Sequence, residues 1–307
     1  MSRVRGALTV GANAVRGFLI GIAELVPGVS GGTVALVTGV YDDLVGSAAG
    51  TVGAAGRLVR GPDRLAGARA ALRGVDGWLL VPLLLGMAAA VLTVAGVMES
   101  FVADQPEAAR GLFLGLVLVS IVVPLRMAAQ AGGSWSPGEV ALVLGAAVLA
   151  FLLVGLAGGV GLEDPPLPLV AAVAAVAVCA LVVPGVSGSF LLLAVGLYSA
   201  TLTAVSERDL AYVGTFALGA VVGLATFVRL LQWLLEHHRR TTLLVMAGLM
   251  TGSLRALWPW QGGSGAAKGA GDLAAPYDPV LAPVLLALLG GAVVAVATVV
   301  QARQERG

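Results

Sequence analysis

Charge is the scarcest ingredient of this 307-residue chain. Only 11% of its residues are Asp, Glu, Lys or Arg, less than half of the ~25% carried by an ordinary soluble domain. The chain has one cysteine, Cys179, in an apolar run; this excludes internal disulfides and reads as a small packing residue. Its two histidines, His237 and His238, are adjacent. They lack metal-ligand spacing, and no acidic or cysteine cluster accompanies them, so no metal site or cofactor is expected. A net charge of +1, with no block of like charge, excludes a nucleic-acid tail. What is abundant is apolar: 58% of residues are hydrophobic and 44 are glycine, with a mean hydropathy of +0.97. The chain is an integral membrane protein. Arg3 and Arg5 precede an apolar run in the manner of a signal peptide, but Arg16 interrupts that run, so a retained first segment is expected.

One heptapeptide occurs twice. Pro27-Gly28-Val29-Ser30-Gly31-Gly32-Thr33 returns as Pro184-Gly185-Val186-Ser187-Gly188-Ser189-Phe190, and Gly39 and Tyr41 return as Gly196 and Tyr198, all at a constant offset of 157 residues. Pro and Gly are the residues worst suited to a helix interior, and hydrocarbon tolerates broken backbone only where it is buried or lines a cavity. Matching interruptions in two halves of a membrane protein point to a transporter binding site.

Apolar runs long enough to enter a membrane cover residues 7–26 and 33–55 around the first motif, then 77–97, 111–130 and 139–157. The second half has 168–183 and 190–205 around the second motif, then 211–235, 241–258 and 280–301. The N-terminus, the linker with Arg57, Arg60, Arg64, Arg69 and Arg73, the Arg126 end, His237–Arg240 and the Arg303/Arg306 tail are basic, and are therefore placed in the cytoplasm. The loops holding Glu99, Asp104 and Glu107, and Glu163 and Asp164, then fall outside. That parity requires each motif-bearing pair to return to its side of entry. The predicted fold is an all-α polytopic membrane protein of one transporter domain (1–307). It has two inverted-topology repeats (6–157 and 168–303), each with a Pro/Gly-broken re-entrant helix hairpin plus spanning helices, and both termini in the cytoplasm. Trp78, Trp135, Trp233, Trp258 and Trp260 lie near predicted segment ends, as an interfacial aromatic belt does.

A Pro-Gly-x-Ser-Gly turn entering a helix exposes unpaired backbone N–H groups, and its glycines let a ligand approach the backbone. Ser30, Thr33, Ser187 and Ser189 add hydroxyls, and a helix N-terminus favours an anion. Two such turns facing each other form a donor-rich cradle for phosphate or carboxylate; the plainer reading is a pair of Gly/Pro hinges that pack helices closely. The candidate substrate-binding residues are Pro27, Gly28, Ser30, Gly31, Gly32 and Thr33 with Pro184, Gly185, Ser187, Gly188 and Ser189. Glu24, one turn before the first break, is a costly carboxylate in an apolar run. It reads either as a proton- or cation-coupling site (H⁺ or Na⁺) or as a cap on the broken backbone or a partner of Arg16. Its counterpart in the second half is Leu181, which makes the site asymmetric. Arg110, Arg126, Arg229 and Arg255 lie at or within apolar segments, where each snorkels to an interface or meets a phosphate bidentately. Arg229 and Arg255 are the better candidates.

Gly28-Val29-Ser30-Gly31-Gly32 also matches G-x-S-x-G, the signature of a serine hydrolase. Such an enzyme needs a base within hydrogen-bond reach. The two histidines fall in a predicted cytoplasmic turn, far from serines at membrane depth, so a transporter rather than an enzyme is expected.

Four motifs in order carry a resemblance over nearly the whole chain: Glu24-Leu-Val-Pro-Gly-Val-Ser-Gly-Gly-Thr33, Pro184–Phe190, Arg229-Leu-Leu-Gln-Trp-Leu-Leu235, and Gly248–Arg255 with Trp258-Pro-Trp260. The sequence resembles a bacterial and archaeal membrane family, once a domain of unknown function and now described as polyprenyl-phosphate transporters (PopT). The resemblance implies a translocase in the cytoplasmic membrane that returns undecaprenyl phosphate, or a related polyprenyl phosphate, for reuse in envelope synthesis. It places the substrate on the two motif loops, with Glu24 and the embedded arginines as companions. A transporter of a small soluble anion and a non-transport scaffold are the alternatives left open by the residues themselves. Nucleic-acid partners are not expected.

Overall fold

Apolar runs interrupted by Pro and Gly dictate the element order in the computed structural model, which describes residues 2–24, 30–60, 64–133, 135–155, 162, 164–184, 188, 191–192, 195–262 and 272–304. In the first half α1 (Ser2–Glu24) stops at the first motif and is followed by the short α2 (Gly31–Val37), α3 (Tyr41–Arg60) and α4 (Arg64–Leu72). Then come α5 (Gly77–Asp104), α6 (Pro106–Ser120), α7 (Val122–Gln130) and α8 (Pro137–Gly155). The second half holds α9 (Leu167–Val182), α10 (Tyr198–Glu207), α11 (Leu210–His237), α12 (Arg239–Ser253), a 3-10 turn (Leu254–Leu257) and α13 (Leu281–Gln304). A two-residue β pair joins Gln261–Gly262 to Asp272–Leu273, antiparallel. Among the described residues, five helical stretches are long and apolar enough to cross a membrane. Their outer faces are apolar too: Leu92 is 85% exposed and Leu210 82%, as befits surfaces turned to lipid.

Two runs expected as single segments are split, each for a local reason. Residues 33–55 break at Gly39, which takes φ +72°, a left-handed conformation that glycine adopts without a Cβ penalty. The Val40 amide then reaches back to the Ala35 carbonyl (3.0 Å) and closes α2. The second copy repeats this: Gly196 has φ +78°, and the Leu197 amide reaches the Leu192 carbonyl at 2.8 Å. Residues 111–130 break at Ile121, because Pro124 has no N–H to give the Ser120 carbonyl. The expected 241–258 segment is helical only to Ser253 and then tightens into the 3-10 turn. Two aspartates mark helix starts: Asp76 accepts the Leu79 amide at 3.1 Å, and Asp209 those of Ala211 (3.0 Å) and Tyr212 (3.1 Å).

Small residues decide which helices pair. On α5, Gly86 lies directly on the Ala14 carbonyl of α1; on α11, Gly219 lies in the same way on the Ala171 carbonyl of α9. Gly111 and Gly115 of α6 sit on Pro283 and Ala287 of α13, while Gly248 and Gly252 of α12 sit on Val143 and Ala147 of α8. In all these pairs the contact positions advance together along both chains, so the partners run parallel at backbone contact, the small-xxx-small mode of membrane helices. Each half also lends a helix to the other, α13 to α6 and α8 to α12. Gly21 on α1 meets Met87 and Ala90, so α1 ends level with the middle of α5.

Polar ties are few and sit at the ends. Arg240 of α12 spreads its guanidinium over both Glu139 oxygens (2.5 and 3.1 Å) and the carbonyls of Ala128 and Gly132 (each 2.9 Å). Arg239 makes a single, more exposed contact with Asp42 at 2.6 Å. Tyr277 donates to Glu107 (3.2 Å); loss of water around the phenol, together with that carboxylate, raises its pKa above the ordinary value. Of the tryptophans placed in an aromatic belt, Trp78 is 75% exposed, but Trp260 is only 5% exposed and packs edge-to-face on Trp258.

Two outcomes follow for stability in detergent. Gly86→Ala and Gly219→Ala drive a methyl into backbone, so each lowers the thermal midpoint. The overpacking cost of about 1–3 kcal/mol exceeds the ~1 kcal/mol of helix propensity gained. Gly145→Ala, where nothing lies within 4 Å, leaves the midpoint unchanged or raises it. Arg240→Lys, which loses the bidentate fork, lowers the midpoint more than Arg239→Lys does. Thermal unfolding of the purified variants measures both.

Candidate functional site

The first motif re-enters the described chain at Ser30. Its backbone is extended (φ −114°, ψ 129°), the usual conformation of a residue preceding a helix, yet its side chain does not cap α2. The Ser30 hydroxyl instead crosses to the end of α9, one residue before the second motif, and donates to the Val183 carbonyl at 3.1 Å. Gly32 lies against the same segment: a Cβ there would meet the Val182 carbonyl oxygen at 2.8 Å and the Pro184 nitrogen at 3.3 Å. Tyr41, at the start of α3, is 2% exposed and donates its hydroxyl to the Val182 carbonyl at 3.0 Å. The last carbonyls of a helix have no partner inside it, so the end of α9 takes its hydrogen bonds from the first motif and the helix beyond it.

Glu24 ends α1 and turns onto the break. Its Oε1 accepts the Gly31 amide at 2.8 Å, so a side-chain carboxylate occupies the position that an anionic ligand at this helix start would take. Arg16 is engaged elsewhere, donating to Asn13 at 2.8 Å; of the two structural roles considered for Glu24, the backbone cap is the one present, and pairing with Arg16 is not. Thr33, 3% exposed, has a hydroxyl with no hydrogen-bond partner among the described residues. Such a buried, unpaired hydroxyl is costly. At this site the donors Gly31 N–H, Ser30 O–H and Tyr41 O–H are all spent on protein oxygens.

Pro184 and Gly188 are both buried, while Pro27, Gly28, Gly185, Ser187 and Ser189 lie outside the described residues. The structure thus brings Ser30 and Gly32 to the Val182–Pro184 segment, while Glu24 closes onto Gly31 and Thr33 is buried in the same turn of α2. The arginines are held on flanking helices. Arg229 of α11 donates to the Val52 carbonyl of α3 at 3.2 Å. Arg255, on the 3-10 turn, donates to the Phe151 carbonyl of α8 at 3.2 Å and lies 4.5 Å over the Phe151 ring, a cation–π contact. Its Nε is buried without a partner among the described residues. The next residues, Ala256 and Leu257, pack in one cluster with Ala23 and Val34, which flank the first motif.

Sequence reasoning used Tyr41 only to fix the register of the repeat. Its recurrence as Tyr198 was the signal that a side chain at this point matters. The carbonyls of Val182 and Val183 had no such signal, because backbone acceptors carry no residue identity.

Comparison with known proteins follows the same direction as the motifs. The chain is 35% identical over 250 residues to a polyprenyl-phosphate transporter of Vibrio cholerae serotype O1 (strain ATCC 39315 / El Tor Inaba N16961), covering 80% of this chain and 77% of the relative. It is 25% identical over 264 residues to a polyprenyl-phosphate transporter of Staphylococcus aureus (strain NCTC 8325 / PS 47), covering 80% and 86%. No solved structure matches the chain. With its residues 20–272 matched by the family model, the chain belongs to the VCA0040-like family, described as undecaprenyl phosphate translocase-like.

Proposed function

We propose that this protein translocates undecaprenyl phosphate or a related polyprenyl phosphate across the cytoplasmic membrane by alternating access, the phosphate being held between the two Pro-Gly-x-Ser-Gly tips. The observation that carries this reading is the contact of the first motif with the segment leading into the second, Ser30 on Val183 and Gly32 on Val182 and Pro184, in a family whose relatives are named for that lipid. A phosphate monoester carries about −1.5 to −2 charges at neutral pH, and moving it bare through hydrocarbon costs several kcal/mol. Ser30, Ser187, Ser189, Thr33 and the glycine amides (Gly28, Gly31, Gly32, Gly185, Gly188) replace its water, with Pro27 and Pro184 setting the breaks. Arg229 and Arg255 supply positive charge from the flanks.

The two halves are read as inverted repeats whose hairpins re-enter at mid-membrane. Support comes from the chain threading. Between the parallel pairs α1/α5 and α9/α11 the chain passes through two stretches long enough to span, α6–α7 and α8, and on that count the two pairs cross the bilayer in opposite directions. In this reading the protein oxygens that now hold these donors are the ones a phosphate replaces. Arrival of the phosphate displaces the Glu24 carboxylate from Gly31, and a proton or cation taken up by Glu24 makes that displacement easier. Coupling and binding then meet at one atom pair.

Two measurements in proteoliposomes test this. Ser30→Ala and Ser187→Ala each reduce undecaprenyl-phosphate translocation by roughly ten-fold or more, the effect of losing a ~1.5–3 kcal/mol hydrogen bond to a charged group. Unchanged rates in both would sink the cradle, and uptake of inorganic phosphate or a carboxylate without lipid flipping would replace the reading with a soluble-anion transporter. Glu24→Gln keeps an acceptor for Gly31 but no titrating charge, so translocation loses its response to an imposed pH or sodium gradient. A wild-type response in that variant removes Glu24 from the coupling role.

A further inference from the structure

The segment that joins α3 to α5 concentrates positive charge. Residues 57–73 hold five arginines (Arg57, Arg60, Arg64, Arg69 and Arg73) against one acidic residue, Asp63, a net of +4 where the whole chain has +1. Within it α4 is held in place on α3. The Arg57 guanidinium donates to the Gly67 carbonyl at 3.0 Å, and beyond α4 the Asp76 amide donates to the buried Ser47 hydroxyl at 3.2 Å. Gly50 of α3 sits against the end of α4: a Cβ there would meet the Val75 side chain at 2.9 Å and the Ala71 carbonyl oxygen at 3.5 Å.

The outer face of α4 has a definite pattern. Leu65 and Leu72 are seven residues apart and so share one stripe; at about 100° per residue Arg64 falls on one side of it and Arg69 with Arg73 on the other. Leu65 is 66% exposed, and Leu72 and Leu58, at the end of α3, are exposed as well. Arg64, Arg69 and Arg73 are all exposed, and none of the three forms a hydrogen bond or ion pair with a described residue. Leucines edged by uncommitted arginines are what an interfacial helix offers a bilayer: apolar side chains enter the acyl boundary while long cationic stems reach the phosphates.

The neighbouring chain locates that boundary. Five residues separate Leu72 from Trp78, which stands 75% exposed in the first turn of α5, and the exposed apolar face of α5 continues through Val81, Leu84 and Leu85. The leucines of α4 therefore adjoin a surface already suited to lipid, with a tryptophan of the interfacial kind between them. On the positive-inside reading of the linker this edge is cytoplasmic, where the leaflet carries anionic headgroups. A soluble acidic partner would match the arginines alone, whereas a lipid surface matches the arginines, the leucines and the place beside Trp78.

We infer that α4 and the end of α3 form an interfacial site for anionic phospholipid of the bilayer, with lipid phosphates on Arg64, Arg69 and Arg73 and with Leu65 and Leu72 in the acyl boundary. The site is separate from the motif tips and does not depend on which lipid is transported.

The test uses the full-length protein in nanodiscs, with Leu72→Cys carrying the environment-sensitive dye NBD in a Cys179→Ala background. Phosphatidylglycerol is titrated into phosphatidylcholine, with no polyprenyl phosphate present. Phosphatidylglycerol is expected to brighten and blue-shift the dye, and raised salt to reverse the change. Arg64→Gln/Arg69→Gln/Arg73→Gln breaks no bond to a described residue. It is expected to raise the phosphatidylglycerol fraction needed for half the change roughly ten-fold or more, since each cation near an anionic surface contributes about five-fold. A dye that responds equally to both lipids, or a triple variant with the unchanged titration, overturns the site. A dye that stays in water at every composition also overturns it and leaves the surface to a soluble acidic partner. The same shift produced by glycerol phosphate in solution, at equal ionic strength, assigns the arginines to free phosphate and overturns the lipid. None of these results bears on the polyprenyl-phosphate reading, because that lipid is absent from the assay.

Discussion

A backbone broken inside hydrocarbon has no water to bond, so every amide and carbonyl freed by the break must find a protein partner or a ligand. That constraint organises this molecule. The Gly31 amide turns to Glu24 across the break, while the Ser30 hydroxyl turns to Val183 and the Tyr41 hydroxyl to Val182, and these last two bonds draw the two motif segments together. The same bonds are of the kind that a phosphate offers in exchange, since its oxygens accept from amides and hydroxyls more strongly than a neutral carbonyl does.

Around that centre, attraction is supplied by contact rather than charge. Helices in lipid gain nothing from burying apolar surface against one another, so they associate where glycine or alanine lets backbones touch. Gly86 on Ala14 and Gly219 on Ala171 do this at matching places in the two halves, as do Gly111 on Pro283 and Gly248 on Val143. Because α13 pairs with α6 and α8 with α12, each half is completed by the other.

Much of the candidate site was legible in advance. The duplicated Pro-Gly-Val-Ser-Gly turn, the positive-φ glycines Gly39 and Gly196, and Glu24 ahead of the break all announce themselves, because Pro, Gly and a buried carboxylate are expensive in a membrane helix and survive only with a reason. Arg240 gave no such signal: it reads as one more basic loop residue, yet it ties α12 to Glu139 and the end of α7. Nor did Trp260, counted with the interfacial tryptophans although it is buried. Both depend on which distant segments arrive beside them.

Composition and pattern alone determined that this chain lives in a membrane and that one Pro-Gly-Val-Ser-Gly turn interrupts its apolar runs twice. These are local properties, set by the transfer cost of each side chain and by the backbone freedom of Gly and Pro. Tertiary structure alone decided that Ser30 meets a carbonyl of the other half, that Glu24 closes onto Gly31 and not onto Arg16, and that Arg229 and Arg255 rest on neighbouring helices. Those outcomes turn on backbone groups and on distances of a few ångströms, across the break itself for Glu24 and between segments more than a hundred residues apart for Ser30, Arg229 and Arg255, which no one-dimensional pattern records.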